Sequence, residues 1–356
     1  MKYSYWLACL PFSSAKKIRL CWEFISAASL FEASEKEIEK LDYLTGKDAS
    51  FLLDNNIKRK SLEEYENLGE KNIRFCPITS DKYPLRLKNI FDPPFALFYK
   101  GELPKEEGLK VSIVGARLCS PYGQNISQQL GETFGKLGID VISGMARGVD
   151  SASHYGALNG NGKTYAILGN GPDICYPRQN QSLYKKIMER GGVISEYSPG
   201  TVARPEFFPQ RNRIISGLSD VVIITEAKEK SGSLITGDIA LEQGKEVYCV
   251  PGRVGDSLSF GTNNLIKQGA GIIISIEKLL EDLEIICSSV SKKNNSLPEL
   301  TKEEASLYKA LDFYPKDINV LLSESGLNLM GLFSTISTLG DKGLIKETFK
   351  NNYVRC

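Results

Sequence analysis

A doubly wound, mostly parallel α/β sheet with smaller modules on either side is the architecture this sequence predicts. Short runs rich in β-branched residues recur through the middle of the chain without polar alternation. Segments of helical spacing separate them, and Gly, Pro or Asp bounds each run. Unalternated strands divided by helices indicate a parallel sheet covered on both faces.

In chain order, residues 1–75 read as a helical module of the SAM or helix-hairpin-helix kind, with charged runs such as EASEKEIEKLDYL. A Pro-rich connector follows, YPLRLKNIFDPPFALFYKGELP, apolar and aromatic enough to pack on a core. The predicted strands are 110–116, 139–146, 163–171, 192–197, 220–227, 246–252 and 271–275. Together with the connector they make a central domain over 76–288. Polar residues 289–296 read as a linker. The last stretch, 297–356, has three helical patterns and a final strand pair, a winged-helix layout.

Composition narrows the function. The 356 residues are 42% hydrophobic and 24% charged, with a formal net charge of +1. No apolar run approaches a membrane span, and no secretory cleavage pattern opens the chain. Eight scattered cysteines without a CxxC read as reduced thiols in a cytoplasm, not as a disulfide frame or zinc site. The single histidine excludes a site built from several, and no cofactor or metal site is expected. Charge is distributed unevenly. Residues 110–276 hold 17 Lys and Arg against 14 Asp and Glu, whereas 297–356 hold 7 against 8. An anion site is therefore expected in the middle.

The unusual residues there follow the predicted strands. Arg117 follows the first of them, Arg147 the second, Arg178 the third and Lys228 the fifth. Ligands of such sheets bind beyond the carboxyl ends of the strands. FFPQRNRIISGLSD (207–220) adds Arg211 and Arg213 around Asn212 at a helix start, ahead of apolar Ile214, Ile215 and Leu218. Guanidiniums bind phosphates bidentately and stack on bases. Asn212 can read a base edge or pin the loop. An ion pair with Glu206 or Glu226 would explain one arginine but not readily both. SGSLITG (231–237) opens a helix, whose free N–H groups and dipole suit a phosphate. Capping by Ser231 or Ser233 is compatible with that.

Other motifs are weaker. GNGKT (160–164) lacks the glycine spacing of a P-loop and leads into a strand instead of a helix. DSASH (150–154) contains a serine and a histidine three apart, but Asp150 is better placed as a helix cap and no oxyanion hole is visible. VPGRV and FGTNN (250–254 and 260–264) lack the paired glycines and carboxylate of a nucleotide-cleaving phosphoribohydrolase. Such an enzyme, or a small-nucleotide sensor, stands as the alternative reading.

Taken in order, YPLRLKNIFDPPFALFYKG, VGAR, SGMARGVDSASHYGAL, ILGNGPDICYPRQNQSL, ISEYSPG, FFPQRNRIISGLSDVVIITEA, SGSLITGDIALEQGKEVYCVPG and GTNNLIKQGA resemble the bacterial DNA-processing protein A family. The resemblance implies an extended Rossmann-like domain that binds single-stranded DNA without catalysis. It also implies protection of incoming DNA during natural transformation, loading of the RecA recombinase, and a homodimer. By the same resemblance Arg117, Arg178 and Lys228 line the DNA pocket. Gly144, Arg147, Phe207, Arg211, Asn212, Arg213, Ser231, Gly232, Ser233 and Thr236 complete the expected site. Phe207, Phe208 or Tyr176 is expected to stack on bases. The predicted recognition helix at 328–339 has no Arg or Lys, so the terminal module is expected to contact protein or regulate instead of reading a groove.

Overall fold

In the computed structural model, residues 1–285, 300–312, 315–349 and 351–355 are described. The expected linker at 289–296 lies outside them. The chain divides into two compact units, Met1–Arg117 with Ser127–Ile273, and Leu118–Ile126 with Ile274–Cys356.

The first unit is organised by nine strands. They are β1 (Arg74–Pro77), β2 (Ala96–Gly101), β3 (Lys110–Val114), β4 (Asp140–Ser143), β5 (Thr164–Ile167), β6 (Gly192–Ser195), β7 (Val221–Ile224), β8 (Glu246–Cys249) and β9 (Gly271–Ile272). Their order is β1-β2-β6-β5-β4-β3-β7-β8-β9. Every pairing from β6 to β9 is parallel, and β1–β2 and β2–β6 are antiparallel. All seven expected strands form. The order reverses between β3 and β7, and at such a switch point the flanking loops diverge and open a crevice.

β1 and β2 are additional to the sequence reading. β2 comes from the Pro-rich connector, whose Tyr83, Leu87 and Ile90 enter the same core as Ile214, Ile215 and Leu218. Strands β3 to β7 are buried along their lengths, as the absence of alternation requires, apart from a half-buried Asp140 at the start of β4. The GNGKT segment is the turn that ends helix Val149–Asn159 and delivers the chain to β5. The N-terminal helices pack on β1 and β2 through Tyr5, Trp6, Leu20, Leu30, Phe75 and Phe98.

The second unit contains helices Lys302–Ala310, Ile318–Ser325 and Leu329–Asp341. Its three-stranded antiparallel sheet comprises β10 (Lys316–Asp317), β11 (Ile345–Phe349) and β12 (Asn352–Arg355), with β12 central. Leu307, Leu321, Leu332, Ile336 and Leu339 form its core. No helix among the described residues is long and apolar enough to cross a membrane.

Candidate nucleic-acid interface

Backbone contacts lock the loops beyond the carboxyl ends of the strands into one rim. The Ala116 N–H donates to the Glu226 carbonyl at 2.8 Å, and the Val149 N–H donates to Ala116 at 3.3 Å. Gly148 has φ +74, and a Cβ there would stand 2.3 Å from the Ala116 oxygen, so only glycine permits this approach. Asn180 ties the next loop on, donating from Nδ2 to the Met145 carbonyl at 2.8 Å and to Ser151 Oγ at 2.9 Å.

Four cations rise from this rim. Arg178 follows β5, Arg147 β4, Arg117 β3 and Lys228 β7, and these four strands are adjacent. All four side chains are exposed and make no hydrogen bond or ion pair with the described residues. At roughly 4.8 Å between strands, the row covers about 14 Å of strand ends. Arg117 sits over the Phe208 ring, 5.1 Å from its centroid, and Phe208 lies 5.4 Å from Tyr176 with their planes 35° apart. Phe208 rests on Gly169, where a Cβ would come within 3.0 Å of the ring. Tyr176 is 44% exposed, so the stack has an open end.

Arg211 and Arg213 have the opposite surroundings, and the expectation that both face an anion is corrected here. Arg211 is 4% exposed. Its guanidinium fills the place a Gly144 side chain would occupy, and Nη1 donates to the Ile167 carbonyl. Burial draws its pKa down to about 10, against the pull of nearby Asp150. Gly144 thus makes room for an arginine beneath the rim and is itself buried. Arg213 grips Glu196 with two hydrogen bonds of 2.7 Å and reaches Asp92 at 3.0 Å. Burial alone would lower its pKa, but the Glu196 pair and Asp92 carry it above the usual arginine value. The partners are Glu196 and Asp92, not Glu206 or Glu226. The apolar half of the expectation holds, because Ile214, Ile215 and Leu218 are buried.

Asp150 does not cap the helix that follows it. The helix starts at Val149 with Gly148 as its cap. Asp150 instead accepts the N–H groups of Gly144 at 3.1 Å and Ala146 at 3.4 Å, bracing the loop that carries Arg147. Burial raises its pKa, and Arg211 opposes the shift. His154 is fully buried with Nδ1 2.6 Å from Thr164 Oγ1, while Ser151 bonds to Ala146 and Asn180. The serine and histidine therefore have separate partners. Burial, with Arg211 nearby, lowers the imidazole pKa to about 3. It is a neutral core group.

The remaining expected residues divide. Asn212 Nδ2 donates to the Gly232 carbonyl at 3.3 Å, pinning helix Phe207–Leu218 to the start of helix Gly232–Glu242. Ser231 caps that second helix, and Gly232 is exposed with open space around it. Ser233 and Thr236 are buried, so two of the four expected residues in SGSLIT serve packing. Phe207 turns away from Phe208 and stacks on Tyr197 at 4.2 Å, with Arg204 5.7 Å from its ring. Tyr197 and Arg204 were not anticipated. The signals available were ISEYSPG (194–200), one of the segments that carry the family resemblance, for Tyr197, and an arginine three residues ahead of an aromatic pair for Arg204.

Residues 74–284 match the family model for DNA recombination-mediator protein A. The chain belongs to this family. It is 42% identical to the DNA processing protein DprA of Bacillus subtilis over 215 residues, 60% of this chain and 72% of that one. It is 41% identical to the Smf protein of Escherichia coli over 228 residues, 64% and 61% of the two chains. The crystal structure of DNA processing protein A from Streptococcus pneumoniae superposes with a TM-score of 0.62 at 32% identity, covering 79% of this chain and 98% of that one. DNA processing protein A from Helicobacter pylori, a structure concerned with its single-stranded DNA binding mode, gives 0.54 at 30%, covering 60% and 97%.

Proposed function

We propose that the rim binds single-stranded DNA, with phosphates on Arg178, Arg147, Arg117 and Lys228 and a base against the Tyr176–Phe208–Arg117 stack. The observation that carries this reading is the set of four cations, unpaired among the described residues, in the segments that follow four adjacent strands, with one of them over an aromatic ring. Base stacking on aromatic and guanidinium planes tolerates any sequence, and only a single strand can offer a splayed base. Gly232 and the helix behind it add a phosphate seat at the β7 side. The single-stranded DNA binding of the Helicobacter pylori relative supports the same assignment.

The chemistry in this reading is binding, and the one serine–histidine pair the sequence offered for catalysis has separate partners. Protection of incoming DNA, delivery to the RecA recombinase and action as a homodimer in the cytoplasm extend the reading along the family resemblance. With a charge surplus of only three over residues 110–276, affinity per protomer is modest, and two protomers on one strand would multiply it. We also take 1–75 as a SAM or helix-hairpin-helix-like module, 76–288 as the extended Rossmann-like DNA-binding domain and 297–356 as a winged helix. The exposed Leu329, Met330 and Phe333 on helix Leu329–Asp341 suit a protein contact better than a DNA groove.

The test is displacement of a labelled single strand by duplex DNA and by ATP. Resistance to both is the expected result. Displacement by ATP at modest concentration would move the rim to the small-nucleotide class.

A further inference from the structure

Beyond the end of β6 the rim continues into a cleft of about 500 Å³ that the DNA reading leaves unused. Glu196, Tyr197 and Ser198 line one part of it, Phe207, Gln210 and Arg213 another, and the first turn of helix Ser14–Glu23 a third. Its size falls within the roughly 300–1,000 Å³ of small-molecule sites.

Lys17 is the anomaly there. It is 9% exposed, and its ammonium donates to one group, the Ala8 carbonyl at 2.6 Å. An ammonium has three donors, and a buried charge is costly unless paired. No carboxylate among the described residues stands within ion-pair range of it. The cleft's own carboxylates, Glu196 and Asp92, are both held by Arg213. Lys17 also lies at the positive end of a ten-residue helix, which favours an anion.

The other lining groups suit a planar heterocycle. Phe207 and Tyr197 present a stacked pair, and Phe12 and Phe95 add apolar surface. The Tyr197 hydroxyl donates to Gln210 Oε1 at 3.0 Å, which leaves the Gln210 amide N–H groups for a base edge. Ser198 and Thr201 hydroxyls stand 3.2 Å apart beside them.

We propose that this cleft is a nucleotide subsite, in which a phosphate monoester pairs with Lys17 and the base lies against Phe207 and Tyr197. The inference rests on the single-strand reading of the rim for one of its two sources. Phe207 in the cleft and Phe208 on the rim are consecutive, so the phosphorylated end of a bound strand can turn in. A free mononucleotide offers the same chemistry.

The experiment uses the full chain and internally labelled oligonucleotides with 5′-phosphate, 3′-phosphate or hydroxyl ends, with thymidine monophosphate titrated separately by calorimetry. One phosphorylated end should bind about five-fold tighter than the hydroxyl end, the effect of one charge-assisted pair. Lys17→Met, which keeps the buried stem, should erase that preference and leave hydroxyl-ended binding unchanged. Burial holds the Lys17 pKa down to about 8, so the preference should fade above that pH as the ammonium is lost. An end preference identifies the strand as the source. Lys17-dependent binding of the mononucleotide without an end preference identifies the free nucleotide, and stands even if the wild type binds no strand. Absence of both effects in the wild-type protein overturns the proposal, and that outcome needs no variant to fold. Hydroxyl-ended binding that Arg117→Ala abolishes would show that the rim reading survives such a failure.

Discussion

Arg211 and Arg213 stand on a long helix, Arg117 on a loop and Arg178 on a single 3-10 turn, all at the carboxyl edge of one sheet, and their surroundings differ. The helical pair is enclosed. Arg213 is held by Glu196 and Asp92, and Arg211 lies over Gly144 against the Ile167 carbonyl. The loop cations are exposed, and no carboxylate among the described residues engages them. Both sets are arginines that follow strands of the same sheet, so residue type does not separate them. What separates them is whether the partners are already supplied by the protein. A guanidinium bound bidentately by a carboxylate has little left for a phosphate. An exposed one over a phenyl ring has its whole edge free.

This contrast predicts opposite outcomes for the same substitution. Arg213→Ala should cost about 3 kcal/mol of stability, because a largely enclosed Glu196, 13% exposed at its side chain, is left without its bidentate partner. The measurement is urea unfolding, and an unchanged midpoint would break the distinction. Arg211→Ala should act in the same direction by stranding Asp150, and any loss of DNA binding should track the loss of folded protein.

The enclosed side also carries a pH signature. His154 has its folded pKa drawn down to about 3, whereas an unfolded chain takes up the proton near 6.5. Its contribution is therefore complete above about pH 6.5 and declines as the pH falls toward 3. Melting temperatures across that range should fall less steeply for His154→Gln than for the wild type. Parallel curves would remove the buried neutral imidazole from the account.

On the open side, Arg117→Ala should weaken single-strand binding about ten-fold, through loss of one phosphate contact and one stacking plane, with no change in melting temperature. A large stability loss would place Arg117 among the structural arginines. The smallest effect belongs to Asn212→Ala. Its one bond of 3.3 Å to Gly232 is worth about 0.5–1 kcal/mol, read in unfolding and not in the salt dependence of binding.

Much of this was legible from residue order. Seven strands were readable because parallel strands in such a sheet show as short β-branched runs, and the loop cations because each follows such a run, Arg117, Arg147 and Lys228 closely and Arg178 after a longer segment. β1 and β2 were not, since RFCP is four residues long and β2 lies inside a Pro-rich segment whose strand character depends on pairing with β6. The burial of the two arginines was invisible for a related reason. Glu196 is 17 residues from Arg213 and Asp92 is 121 away, so local reading favoured Glu206 and Glu226 instead. Asp150 misled in a similar way, because the groups it serves precede it in a loop whose shape only the fold determines.

The most direct measurement compares wild type with a variant carrying Arg117→Ala, Arg147→Ala, Arg178→Ala and Lys228→Ala together. Fluorescence anisotropy of a labelled single strand would be followed across salt concentration, with thermal melting in parallel. The account predicts a steep salt slope for the wild type, reduced by about 0.7 for each cation that neutralises a phosphate. It also predicts near-complete loss of binding in the variant at an unchanged melting temperature. Undiminished affinity and slope in a folded variant would contradict it, and would place the DNA on another face of the molecule.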